Sequence, residues 1–134
     1  MTRFGIDALT ALRLVREESV VPIGHQLVAP NVLRSHAMSH LYREVRRGEL
    51  SRDVADALLE GLTTLKIRLL GDRVSRAVAW RIAERLDWDD TSVAEYIAVA
   101  KLQADVFVTL DRDLARQVDG IVTVVPFGSL LAGG

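Results

Sequence analysis

Two aspartates follow short, largely apolar runs that have the composition of buried strands. Asp7 comes directly after Phe4-Gly5-Ile6, and Asp111 closes the run from Ala104 to Leu110. In an open parallel sheet the carboxyl ends of the strands border one crevice, where ligands bind. Carboxylate oxygens are the ligands that Mg²⁺ prefers in proteins. The sequence therefore predicts that Asp7 and Asp111 share one acidic site at the edge of a sheet.

The spacing of apolar residues alternates between strand and helix along the chain. Strands are expected at 4–7, 26–29, 67–70, 104–110 and 121–125. Helices are expected at 10–18, 31–47, 52–65 and 74–86, with another beginning near residue 91 and a last, short one ending near residue 118. Strands separated by helices predict an α/β fold with a mostly parallel sheet and helices on both faces. No linker or repeat interrupts the 134 residues, so a single domain is expected.

The composition excludes several classes of function. The formal charge is −1, so any binding of nucleic acid has to be local. The absence of cysteine excludes disulfides and thiolate metal sites. Because no segment has the roughly 20 apolar residues of a membrane span and no export signal is visible, we expect a cytoplasmic protein with no membrane partner. No Gly-rich phosphate loop follows the first strand, which disfavours a nucleotide binder.

Four segments resemble, in order and spacing, those of a known family. They are the first-strand Asp7, Leu27-Val28-Ala29-Pro30 with a helix that ends Val45-Arg46-Arg47-Gly48-Glu49-Leu50, Glu95-Tyr96-Ile97-Ala98-Val99-Ala100, and Val108-Thr109-Leu110-Asp111-Arg112-Asp113-Leu114-Ala115. Over nearly its whole length the chain resembles PIN domains, particularly the VapC-type toxins of bacterial toxin-antitoxin pairs.

This resemblance implies a single three-layer α/β/α PIN-like domain over residues 1–134. It also implies a metal-dependent endoribonuclease, the toxin of a type II toxin-antitoxin system. In such proteins four acidic side chains usually hold one or two Mg²⁺ or Mn²⁺ ions, which activate water for attack on an RNA phosphodiester. The implied partners are an RNA substrate, a cognate antitoxin protein and a second copy of the chain in a homodimer.

The acidic positions of the family are matched only in part. By spacing, Asp7 and Asp111 fall on the first and the last of them. The second falls on His36 and the third on Val93, which cannot ligate a metal. Glu95 is the candidate replacement, because a carboxylate on a helix that is apolar nearly all round is typical of a functional site. The alternative for Glu95 is a first-turn residue stabilised by the helix dipole.

Further polar residues near these positions have two interpretations each. Asp90 is either an accessory ligand or part of the N-cap of the helix that follows it. His36 either enters the metal site or contacts a substrate phosphate. His36 and His40 are four residues apart, which would suit a transition metal such as zinc, or simply form a polar helix face. Asp111 itself could also be a turn or cap residue.

Basic residues are concentrated in two segments. They are Arg34, Arg43, Arg46 and Arg47 in the first segment, and Lys66, Arg68, Arg73, Arg76, Arg81 and Arg85 in the second. Such residues either contact RNA phosphates or form ordinary solvated helix faces.

The sequence thus predicts a Mg²⁺- or Mn²⁺-dependent endoribonuclease with Asp7, Glu95 and Asp111 as metal ligands. The departures at His36 and Val93 leave one alternative open. In that alternative the protein is a catalytically degenerate PIN-like protein that binds RNA or another protein without cleavage. An apolar groove between the helices at 31–47 and 52–65 would then accept an amphipathic antitoxin segment.

Overall fold

The described part of the chain, residues 1–133 of the computed structural model, folds around a four-stranded sheet. The strands are β1 (Thr2–Ile6), β2 (His25–Pro30), β3 (Ile67–Leu70) and β4 (Val106–Val108). All pairings are parallel, and the strand order is β3-β2-β1-β4. The chain moves outward from β1 to β3 and then returns to place β4 on the other side of β1. The topological switch point of the sheet therefore lies at the carboxyl ends of the paired strands β1 and β4.

Helices cover this sheet in two layers. Within residues 1–133 they are α1 (Ala8–Arg16), α2 (Leu33–Arg46), α3 (Arg52–Thr64), α4 (Arg73–Arg85), α5 (Ser92–Gln103) and α6 (Arg112–Gln117), followed by a 3₁₀ turn (Phe127–Leu130). The first three helices pack against one another, whereas α5 packs across β1 and β2 and is covered by α4. This is a three-layer α/β/α arrangement, so the predicted fold class is confirmed.

The core lies between the sheet and α5 and continues under α1 and α2. Ala94, Ile97 and Ala98 of α5 are inaccessible to solvent, because this helix is apolar on nearly every face and both the sheet and α4 cover it. Across the sheet, Leu12 of α1 and Leu33 of α2 are equally buried. Within residues 1–133, no helix is long and apolar enough to cross a membrane.

Some predicted element boundaries differ from those in the structure. The strand expected at 104–110 is shortened to β4, and residues 121–125 contact it through a single bridge between Phe107 and Val124. A tight turn with Gly120 at φ 89° separates this segment from α6 and limits its pairing. The helix expected from residue 31 begins at Leu33, because the amide of Asn31 still donates to the carbonyl of Leu70 in the neighbouring strand (3.0 Å).

Candidate active site

A cavity of about 310 Å³ lies at the carboxyl ends of β1 and β4, and we call it the acidic cavity. Asp7 directly follows β1 and Asp111 lies three residues beyond β4, and both line the cavity. The cavity thus coincides with the topological switch point, where open α/β sheets usually bind their ligands.

Three hydrogen bonds hold the carboxylate of Asp7. Oδ1 accepts from the backbone amide of Thr10 (3.0 Å) and from its hydroxyl (2.7 Å), while Oδ2 accepts from the hydroxyl of Thr109 (2.7 Å). Thr10 is completely buried, so its side chain has a fixed orientation. All three donors are neutral, and no Lys or Arg among residues 1–133 forms an ion pair with Asp7. The carboxylate is therefore oriented without being neutralised.

Asp111 has a structural role as well as a place in the cavity. It is the N-cap of α6, where its Oδ1 accepts from the backbone amides of Asp113 (2.9 Å) and Leu114 (3.1 Å). Within the described residues, its Oδ2 accepts no hydrogen bond. The amide of Asp111 donates to the hydroxyl of Thr109 (3.2 Å), which in turn donates to Asp7. Thr109 thus connects the two aspartates.

One face of α2 forms the opposite wall of the acidic cavity. His36, His40 and Arg43 lie at intervals of four and three residues, so they share this face, and all three line the cavity. Glu44, four residues after His40, does not line the cavity and pairs with Arg16 (2.6 Å). The wall facing the carboxylates is therefore basic or neutral.

Tyr96 connects this wall to α5. Its hydroxyl lies 2.8 Å from Nδ1 of His36, and only 6% of the residue is exposed. Burial raises the pKa of Tyr96 above its usual value, and the negative charges of Asp7 and Glu95 raise it further. The phenol is therefore neutral at physiological pH and has one proton to donate in a hydrogen bond.

The other two acidic candidates lie outside the acidic cavity. Glu95, which is half-buried, lines an adjacent cavity of about 290 Å³ together with Asn31 and Arg76. Asp90 lines a third cavity of about 280 Å³ that also borders Asp111, and its Oδ1 accepts from the amide of Ser92 (2.9 Å) as a capping residue does. The structure thus brings Asp7, Asp111 and His36 to one cavity and places Glu95 in another.

The fold has a solved counterpart. It is similar to the crystal structure of PAE2754 from Pyrobaculum aerophilum, with a TM-score of 0.73 and 20% sequence identity. The match covers 98% of this chain and 93% of that chain. At this level of identity the likeness shows a shared fold and assigns no role to any side chain. No family model matches the sequence, and no curated protein matches it.

The acidic cavity offers the oxygen ligands that a hard divalent cation prefers. Asp7 and Asp111 offer carboxylate oxygens, and Mg²⁺ typically uses one or two such ligands while it keeps several waters. Among residues 1–133, no group of three or more His, Asp or Glu side chains is arranged to hold a metal ion. Asp7 and Asp111 alone would leave the other ligand positions of such a cation to water and substrate.

Sequence reasoning missed two residues that support this site. Thr10 and Thr109 orient Asp7, whereas Arg43, which the sequence named as a possible phosphate contact, lines the same cavity. The spacing from Asp7 to Thr10 was a usable signal, because a side chain at an N-cap commonly accepts from the amide three residues later. No comparable signal exists for Thr109, whose role depends on the pairing of β1 with β4.

Proposed function

We propose that this protein is a Mg²⁺- or Mn²⁺-dependent endoribonuclease of the PIN type, the toxin of a toxin-antitoxin pair. One observation carries the proposal: Asp7 and Asp111 line one cavity at the topological switch point of the sheet. The order of sequence motifs, which resembles VapC-type toxins, supports it. The α/β/α fold is consistent with it.

The residues of the acidic cavity have distinct roles in this proposal. Asp7 and Asp111 would hold the cation, and Thr109 joins the carboxylate of Asp7 to the backbone of Asp111. When bound, the cation activates water and offsets negative charge on the reacting phosphate. His40 and Arg43 lie on the opposite wall, where Arg43 can donate two hydrogen bonds to phosphate oxygens. The site therefore positions a phosphodiester between a carboxylate pair and a guanidinium group.

A second candidate function follows from the position of Glu95. Because Glu95 lines the adjacent cavity and Val93 borders the acidic one, the third carboxylate expected from the family does not share a cavity with Asp7 and Asp111. A protein with such a site could bind RNA or a protein without cleavage. The groove for an antitoxin segment was expected between the helices at 31–47 and 52–65, but the concavity beside α3 lies between α3 and α1 and has no lining residue from α2. Its volume is about 670 Å³, and its partly apolar lining includes Leu14 and Leu58.

The decisive experiment compares cleavage by Asp111→Asn and Asp113→Asn. Asparagine keeps the oxygen that caps α6 but removes the negative charge that a cation needs. Asp113 is exposed, pairs with Arg116 and does not line the acidic cavity, so its variant is a matched control. With a mixed RNA pool, we expect cleavage by wild type and Asp113→Asn in Mg²⁺ or Mn²⁺, none in EDTA, and none by Asp111→Asn.

A second readout separates metal binding from turnover. Because a ligand that binds only the folded state stabilises it, Mn²⁺ should raise the melting temperature of wild type and Asp113→Asn but not that of Asp111→Asn. Cleavage that persists in EDTA, or is equal in the two variants, would contradict the proposal. Folded wild type that binds RNA and never cleaves it would favour the degenerate alternative.

A further inference from the structure

The side chain of Trp80 projects from the outer surface of α4, with 64% of the residue exposed. Arg76 and Arg73 precede it by four and seven residues, so all three lie on one face of the helix. Arg81 adjoins this face, and Glu84 is the next residue along it. A tryptophan in this position contributes little to the core, so its ring is available to a ligand.

The segment around Trp80 is strongly basic, although the chain as a whole is not. Residues 66–85 contain six basic and two acidic residues, a net charge of +4, whereas the whole chain carries −1 and the remainder therefore −5. Within residues 1–133, none of the six basic residues forms an ion pair. The carboxylate of Asp72, one of the two acidic residues, is engaged as the N-cap of α4. The positive charge is therefore free to act on a ligand.

This basic segment begins at the same edge of the sheet as the acidic cavity. Since α4 follows β3, its first turn lies at the carboxyl edge of the sheet, the edge that carries Asp7 and Asp111. Arg76 lines the cavity that also contains Glu95, and the residue after Glu95, Tyr96, lines the acidic cavity. Along the helix, Trp80 lies about 6 Å beyond Arg76. A strand leaving the acidic cavity would meet Arg76 first and then the indole ring.

We propose that Arg73, Arg76, Trp80 and Arg81, the Trp80 platform, bind single-stranded RNA next to the acidic cavity. One base stacks on the indole ring, and the arginines contact the flanking phosphates. Proteins that bind single strands combine a basic surface with aromatic stacking platforms, and stacking tolerates any base sequence. The proposal rests on the proposed function, since it assigns the path of the RNA substrate.

The charges around Trp80 favour a nucleic acid over a protein partner. The core of a protein interface is enriched in aromatic residues and arginine but depleted of Lys, Glu and Asp. On the face of Trp80 the next residue after it is Glu84, and the residue one turn before it is Arg76. The net charge of +4 over residues 66–85 complements the phosphates of a single strand, and the exposed ring complements its bases.

The fluorescence of Trp80 provides a direct test. The chain has two tryptophans, so a Trp88→Phe background leaves Trp80 as the sole reporter. In EDTA, which prevents metal-dependent cleavage, titration with a 12-residue oligouridine (roughly the length that an aromatic single-strand site covers) should quench this fluorescence to saturation. Measured with a labelled oligouridine, Trp80→Ala should weaken binding about tenfold, and Trp80→Phe should retain most of the affinity.

A pair of double variants tests the arginines. Arg73→Ala with Arg76→Ala and Arg46→Ala with Arg47→Ala each remove two positive charges, but the second pair, at the end of α2, lines neither the acidic cavity nor the cavity of Arg76. We expect the first pair alone to reduce affinity and to lower the slope of log affinity against log salt by about 1.4, or 0.7 for each phosphate that is no longer neutralised. Equal reductions in the two double variants would mean diffuse attraction and would overturn the platform.

Two other results would also overturn the platform. One is the absence of quenching by an oligouridine that binds. The other is Trp80→Ala converting a dimer into monomers with unchanged RNA affinity, which would identify the surface as a contact between copies. The test of the Trp80 platform and the test of the proposed nuclease can give opposite results. Quenching without any cleavage would keep the platform and refute the nuclease, whereas cleavage that depends on Asp111 but not on Trp80 would do the reverse.

Discussion

At the scale of single residues, the hydroxyl of Thr109 couples the two aspartates of the acidic cavity. It donates to the carboxylate of Asp7 and accepts from the backbone amide of Asp111, so it joins the side chain of one aspartate to the main chain of the other. The carboxylate of Asp111 in turn caps α6 with one oxygen and leaves the other free of hydrogen bonds within residues 1–133. One oxygen of Asp111 therefore caps the helix, and the other is available to a ligand. An asparagine at this position keeps a capping oxygen but lacks the negative charge that a cation needs.

Tyr96 gives a prediction about stability at alkaline pH. Its pKa in the folded protein lies above the unfolded value of about 10, because of burial and then the charges of Asp7 and Glu95. Below pH 10 both states keep the proton, and this residue adds no pH dependence. As the pH rises above 10, the unfolded state loses the proton first, so the free energy of unfolding of the metal-free protein should fall.

Tyrosinate absorbance tests this prediction in a Tyr42→Phe background, because the chain has two tyrosines and Tyr96 is then the only one left. Since burial raises the pKa of Tyr96, its tyrosinate should not form in the folded protein at pH 10 and should appear when the protein unfolds. Tyr96→Phe should remove its part of the alkaline destabilisation, at a cost of about 1 kcal/mol at neutral pH because the hydrogen bond to His36 is absent. Formation of the Tyr96 tyrosinate near pH 10 in the folded protein would contradict this prediction.

At the scale of elements, the close approach of β1 and α5 sets the geometry of the acidic cavity. A Cβ atom at Gly5 would lie 2.7 Å from Cβ and 3.2 Å from Cα of Ala100, so only glycine fits there. Gly5 lies two residues before Asp7, and Ala100 lies one helical turn after Tyr96. This contact therefore determines how near the tyrosine ring lies to the carboxylate of Asp7.

Gly5→Ala should therefore destabilise the protein by about 1–3 kcal/mol, because the helix has to move away from the strand. Gly24→Ala is the matched control: nothing lies within 4 Å of its added Cβ, so stability should stay within about 0.5 kcal/mol or rise slightly. Urea unfolding measures both. Ala100→Gly should restore part of the stability of the Gly5→Ala protein, beyond the sum of the two single effects. Equal stability of the two glycine variants would show that the contact is not tight.

At the scale of the whole molecule, the sequence predicts the layers better than the site. Alternating strand and helix patterns predicted the parallel sheet. The burial of α5 was predicted because this segment is apolar on nearly every face. The placement of Asp7 and Asp111 followed from the ends of their strands. The position of Glu95 could not be obtained in this way, since the cavity that a helical residue borders depends on the rotation of the helix against the sheet. The contact between Tyr96 and His36 joins residues 60 positions apart and has no local signal.

The C-terminal segment closes the molecule over its first elements. Leu130 is completely buried, and its carbonyl accepts a hydrogen bond from Nδ1 of His25 at the start of β2 (2.8 Å). Phe127 lies under the guanidinium group of Arg13, 4.0 Å from the ring centroid. The last turn thus contacts α1 and β2, although β4 and α6 are its neighbours in sequence. Such contacts make the segment part of the common core.

Leu130→Ala should therefore destabilise the entire fold, by about 2–5 kcal/mol, because it leaves a cavity in the core. Leu131, the next residue, is 36% exposed, and its replacement by alanine should change stability by less than about 0.5 kcal/mol. If the chain is one cooperative domain, far-UV circular dichroism and tryptophan fluorescence should report the same reduced midpoint in denaturant for Leu130→Ala. A fluorescence midpoint that stays at the wild-type value would show instead that the C-terminal turn unfolds separately, and that the acidic cavity and the Trp80 platform do not depend on it.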